Sequence, residues 1–109
     1  MAVSYKILGQ TAANATYATL YTTPVSTSAV ISTIVICNVA AAAKTFRIGV
    51  MSTAGTPTSP TEFLAYDTTV PANDTIIMTL GITLQASRYI RVYGSDGNVG
   101  FTAFGSEIT

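Results

Sequence analysis

The sequence predicts an all-β fold, an antiparallel β-sandwich of jelly-roll-like form with about eight strands in a single domain, residues 1–109. Three observations predict it. Short apolar or alternating segments recur about every ten residues, with turn-forming residues between them. Thr, Ile and Val, the β-branched residues that suit a pleated surface, fill those segments. No segment sustains a helical apolar period, and the alanine run Ala40–Ala43 is too short for a stable helix and reads as a connector.

Tyr5–Leu8 reads as the opening strand and Tyr17–Thr22 as the second, closed by Pro24. Ala29–Cys37 is the third. It has Val30, Ile34 and Ile36 on one face and Ile31, Val35 and Cys37 on the other. Both faces are apolar, yet a two-layer sandwich covers only one, so the second is expected to meet a neighbouring subunit or a loop of the same chain. In the fourth strand, Thr45–Met51, Phe46, Ile48 and Val50 oppose Thr45 and Arg47. Glu62–Asp67 is the fifth. The sixth, Asp74–Leu84, sets Ile76, Met78, Leu80, Ile82 and Leu84 against a Thr-rich face, with Gly81 as a potential break. The seventh, Arg88–Tyr93, turns Ile90 and Val92 inward and Tyr89, Arg91 and Tyr93 outward. The eighth, Val99–Phe104, turns Val99, Phe101 and Ala103 inward. The expected core is Ile34, Ile36, Phe46, Ile48, Ile76, Met78, Leu80, Ile90, Val92 and Phe101.

Two connections stand out. Asp96-Gly97, within Gly94–Asn98, is expected to supply the positive φ of a hairpin. Ser52–Thr61, with Gly55, Pro57 and Pro60, is the longest irregular piece and is expected to project, either as a binding loop or as a plain connector.

Composition bounds the function. The chain is 49% hydrophobic and only 9% charged, with five acids, five bases and no net charge. An average soluble domain carries about 25% charged residues. Weak self-repulsion and charge depletion predict a chain that sits against other protein, as a homo-oligomer with a trimer as the first expectation. No basic patch exists to neutralise phosphates, which argues against nucleic acid. The N-terminus lacks the pattern of a signal peptide. The apolar stretch Ala29–Ala43 is shorter than the roughly 18–20 residues that span a bilayer, so no membrane partner is expected. With no histidine, no metal-ligand spacing and no phosphate-binding glycine motif, the expectation is a non-enzyme with no catalytic, metal or cofactor-binding residues. The single cysteine, Cys37, cannot form an internal disulfide and is expected to act as a small buried hydrophobe. Tyr89, Arg91 and Tyr93 form an aromatic–basic stripe that suits a subunit contact or a stacking surface for sugars or bases.

Several segments together carry a likeness: Tyr5-Lys6-Ile7-Leu8-Gly9-Gln10, Leu20-Tyr21-Thr22-Thr23-Pro24, Ser32-Thr33-Ile34-Val35-Ile36-Cys37-Asn38, Ala65-Tyr66-Asp67-Thr68, Pro71-Ala72-Asn73-Asp74-Thr75, Thr79-Leu80-Gly81-Ile82-Thr83-Leu84 and Phe104-Gly105-Ser106-Glu107-Ile108. Over almost the whole chain this resembles small virion structural proteins of tailed bacteriophages. The resemblance implies a capsid decoration (cement) protein that binds the major capsid protein on the capsid exterior, or a tail-associated protein. It implies no catalytic residue. The interface candidates are Ile31, Val35, Tyr89, Arg91 and Tyr93.

Overall fold

A computed structural model describes residues 2–109, which form eight strands and no helix. The strands are β1 (Val3–Ala12), β2 (Tyr17–Thr22), β3 (Ser28–Asn38), β4 (Lys44–Met51), β5 (Phe63–Val70), β6 (Thr75–Leu84), β7 (Tyr89–Gly94) and β8 (Val99–Ile108). They pair antiparallel in two four-stranded sheets, ordered β1-β8-β3-β6 and β2-β7-β4-β5. Consecutive strands lie in opposite sheets except for β4 and β5, which are neighbours. This interleaving is that of a jelly roll.

The two sheets bury one face of each against the other. Ile31, Ile34, Ile36 and Phe101 meet Phe46, Ile48, Ile90 and Val92, all at 1% exposure or less. Phe46 and Phe101 pack edge to face across the layer, with ring centroids 6.2 Å apart. Each such side chain contributes about 1.5–3 kcal/mol by leaving water. Of the expected core, Ile76 and Met78 are only partly buried against this cluster. Leu80 is 43% exposed and is not a core residue.

Bulges explain that correction and a larger one. Across the β1-β8-β3-β6 sheet, neighbouring strands gain residues on one another along a single line. While β8 steps from Phe104 to Gly105, β3 steps from Thr33 to Ile31. Over the same step of β3, β6 moves from Thr79 to Ile82. Between β1 and β8 the shift falls at Ile7/Gly9. An inserted residue reverses the facing of everything beyond it. In β3 the insertion sends Ser32 outward and returns Ile31 and Ile34 to the same face. Ile31 is therefore wholly buried in the core and is not an interface residue. In β6 the insertion is accommodated by Gly81, whose φ of 62° is the left-handed conformation glycine adopts without strain. The strand runs through this glycine instead of breaking, and the bulge carries Leu80 to solvent.

The β7–β8 connection is not a hairpin. β7 pairs with β2 and β4, whereas β8 pairs with β1 and β3, so Ser95–Asn98 crosses between sheets. Gly97 is not left-handed. The crossover is held by side chains: Asp96 Oδ1 accepts from the Asn98 N–H at 2.9 Å, and Lys44 Nζ lies 2.7 Å from Asp96 Oδ2.

Two polar devices fix the ends of the sandwich. Asn38 is 1% exposed. Its Nδ2 donates to the carbonyls of Ala42 (2.9 Å), Pro71 (3.1 Å) and Val70 (3.2 Å), and its Oδ1 accepts from the Ala40 N–H at 2.9 Å. One side chain thus closes the alanine connector and ties it to the β5–β6 turn. At the other device, Glu107 of β8 accepts from the buried Tyr21 hydroxyl of β2 at 2.5 Å and pairs with Lys6 of β1 at 2.5 Å. Lys6 first, and then the Tyr21 hydroxyl, hold the Glu107 carboxyl below the usual carboxylate range. Burial, and then the adjacent carboxylate, push the Tyr21 hydroxyl well above its usual range.

Asn38→Ala should lower unfolding free energy by about 2–3 kcal/mol, because buried carbonyls and an N–H lose their partner. Urea titration measures this, and an unchanged midpoint would refute the clamp. Glu107 has a depressed pKa in the folded state, so its contribution is full above its unfolded value of about 4.3 and is lost as pH falls through the folded value. The melting temperature should accordingly decline below about pH 4. In Glu107→Gln that acid decline should flatten.

Candidate functional site

With the inner faces packed together, two outer faces remain, and their chemistry differs. On the outer face of the β2-β7-β4-β5 sheet, strand register places Tyr17 of β2 beside Tyr93 of β7, and Tyr93 beside Arg47 of β4. A bulge in β5 lets Ala65 to Thr68 span only Ile48 to Phe46, and Asp67 takes a φ of 47° within it. That bulge brings Tyr66 and Asp67 against Arg47.

Arg47 is the hub of this cluster. Its Nε donates to Asp67 Oδ1 at 2.6 Å and its Nη2 to Asp67 Oδ2 at 3.2 Å, a two-pronged carboxylate pair. Its Nη1 donates to the Tyr17 hydroxyl at 3.2 Å. The guanidinium carbon lies 4.3 Å from the Tyr66 ring centroid and 4.7 Å from that of Tyr93, both within cation–π range. Tyr17 and Tyr93 pack with ring centroids 5.1 Å apart, and Phe63 meets Tyr66 edge-on at 4.9 Å. The guanidinium holds the Asp67 carboxyl below its usual range.

The segment after β4 does not project; it folds back onto this face. Arg91 Nε donates to the Gly55 carbonyl at 3.0 Å while Arg91 Nη1 donates to Thr19 Oγ1 at 2.6 Å. Pro57 packs onto Gly49, where an added Cβ would lie 2.6 Å from the proline ring. Glu62 Oε1 accepts from the Thr58 and Ser59 N–H groups, closing the loop on itself. Between the loop and the cluster lies an open hollow of about 390 Å³ lined by Thr58, Pro60, Phe63 and Tyr66.

The outer face of the β1-β8-β3-β6 sheet is different. Its outward positions bear no charged side chain. Tyr5 (84% exposed), Ile77 (66%), Ile7 (53%) and Phe104 (38%) stand on it. Val35 and Cys37 are half-buried there, beside a shallow depression along β8 that also borders Gly100 and Thr102. Cys37 is thus on an uncovered face and is not a core residue.

The sequence-predicted candidates therefore separate. Ile31 is in the core, Val35 is on the charge-free face, and Tyr89, Arg91 and Tyr93 are half-buried on the opposite face. Arg91 is committed to holding the loop, while the hub is Arg47, which the sequence did not single out. Its outward position was readable from the alternation with Phe46 and Ile48. Its partners Tyr17, Tyr66 and Asp67 depend on register and a bulge, which the alternation does not encode. Chemically, the acids are engaged structurally: Asp67 with Arg47, Asp96 with Lys44, Glu107 with Lys6 and Tyr21, Glu62 with its loop, and Asp74 with the Thr75 N–H. Around Arg47 the surface presents aromatic ring faces and hydrogen-bonding groups.

The sequence matches no protein-family model and no curated protein. Among solved structures, the fold is similar to a chain in the structure of infectious bursal disease virus Gx strain. The identity is 16% and the TM-score 0.48, over 97% of this chain and 31% of that one. The chain spans about a third of the length of that viral chain. A likeness of this size carries no functional argument.

Arg47→Ala should release the Tyr66 and Tyr93 rings, seen by NMR as ring resonances moving toward their random-coil positions. The melting temperature should fall by only about 2–5 °C, because exposed ion pairs contribute little. Unmoved ring resonances would refute the hub.

Proposed function

We propose that the chain is a virion structural protein, and more specifically a capsid decoration protein that binds the major capsid protein on the exterior of an assembled phage shell and stabilises it. The observation that carries this reading is the braced aromatic–arginine face: Tyr17, Arg47, Tyr66 and Tyr93 on a rigid sheet. Tyr and Arg are the side chains enriched at protein interfaces. Here they are locked by one another before any partner arrives, so binding costs little side-chain entropy. The resemblance in sequence to phage virion proteins supports the same reading. A jelly roll also serves lectins and cupins, so the surface and not the fold supports this reading.

The hollow beside Tyr66 favours one second reading, a tail or fibre component that binds a host-surface glycan; a carbohydrate-binding module outside any virion is its variant. Tyr66 and Phe63 offer ring surface, and Thr58 a hydroxyl, to a sugar.

Quantitative mass spectrometry of purified virions separates these readings. A decoration protein should be present at roughly one copy per major capsid protein, or at a simple fraction of that set by shell symmetry. Binding of the isolated protein to undecorated shells should weaken at least about tenfold in Tyr66→Ala, a loss expected of an interface anchor. A few dozen copies or fewer per particle, or glycan binding lost in Tyr66→Ala, would move the protein to the tail reading.

A further inference from the structure

We infer that the outer face of the β1-β8-β3-β6 sheet is a self-association surface, on which a second copy of this chain packs face to face about a two-fold axis. Three properties of the face lead to a second copy. First, its electrostatics: the outward row Tyr5–Ser106–Val30–Thr83 and the rows after it, out to Ala12–Gly100–Cys37–Thr75, contain no charged residue. Lys6 and Glu107 lie on these strands but pair with each other, with Glu107 accepting from the Tyr21 hydroxyl on the inner side, so Lys6 borders the face only at its β1 edge. A neutral face offers nothing for a charged partner to complement. An identical neutral face can cover it without stripping water from any ion. The chain has no net charge to hold copies apart.

Second, its size. Strands of 10 and 11 residues in a four-stranded sheet give a surface about 34 Å long and about 19 Å wide. The relief of its side chains brings that close to the roughly 800 Å² per partner of a standard stable interface.

Third, its shape is complementary to itself. The large exposed residues Tyr5 and Ile7 stand toward one end of β1. Ile77 stands toward the other end, on β6, and each end also holds a depression along β8: one beside Tyr5, Val30 and Phe104, the other beside Val35, Gly100 and Thr102. A two-fold axis crossing the strands near the Ile7–Phe104 row sets Tyr5 of each copy over the Gly100 depression of the other, and the sheets stack as in an aligned sandwich. One face used twice yields a pair. A closed trimer requires two different patches in contact, so this face replaces the expected trimer with a dimer.

The test needs only the isolated chain, so its failure is distinguishable from failure of the virion reading. Sedimentation equilibrium should give a mass about twice 11.3 kDa at micromolar concentration. Tyr5→Lys and Ile77→Lys each alter an exposed side chain, and each should raise the dimer Kd at least about tenfold with an unchanged circular dichroism spectrum. Tyr66→Lys, on the opposite sheet, should leave it unaltered. A monomer at 100 µM or a trimer would overturn the inference. So would a dimer disrupted only by Tyr66→Lys. A monomer whose binding to viral shells is lost in Tyr5→Lys would also overturn it, by giving this face to the shell.

Discussion

Two four-stranded sheets can cover only one face of each other, and that geometric limit governs the rest of this molecule. The shared layer takes Ile31, Ile34, Ile36 and Phe101 from one side and Phe46, Ile48, Ile90 and Val92 from the other. All of it is hydrocarbon, with the Phe46–Phe101 pair at the centre. Everything else must either face water or await a partner. In a chain this poor in charge, the outer faces carry few ions, and large side chains such as Tyr5, Ile77 and Tyr66 stand exposed on them.

The line of bulges across the β1-β8-β3-β6 sheet decides which side chains enter the shared layer. Without the insertion at Ser32, Ile31 and Ile34 would fall on opposite faces and the core would lose one of them. The same insertions twist the sheet and expose Leu80. The β5 bulge has the equivalent effect on the second sheet, delivering Tyr66 and Asp67 to Arg47. Bulges here build both the core and the Arg47 cluster.

The two outer faces follow opposite physical strategies. One carries its arginines on the central strands β4 and β7 and is internally satisfied, with rings and guanidinium braced by an ion pair. The other is neutral and uneven, and gains most by being covered.

The sequence by itself determined the fold class, the eight strands and most of the core, because alternation with period two records directly which side chains face hydrocarbon. It also marked the second face of β3, with Val35 and Cys37 opposite Ile34 and Ile36, as one that the other sheet would not cover, and left open whether a subunit or a loop of the same chain would meet it. Only the tertiary structure decided the strand order, the crossover at Asp96-Gly97, the burial of Ile31 and the exposure of Leu80. Strand neighbours are set by contacts distant in sequence, and a single inserted residue reverses facing without disturbing local composition. The Arg47 cluster was illegible for the same reason: Tyr17, Arg47, Tyr66 and Tyr93 are brought together by register across four strands.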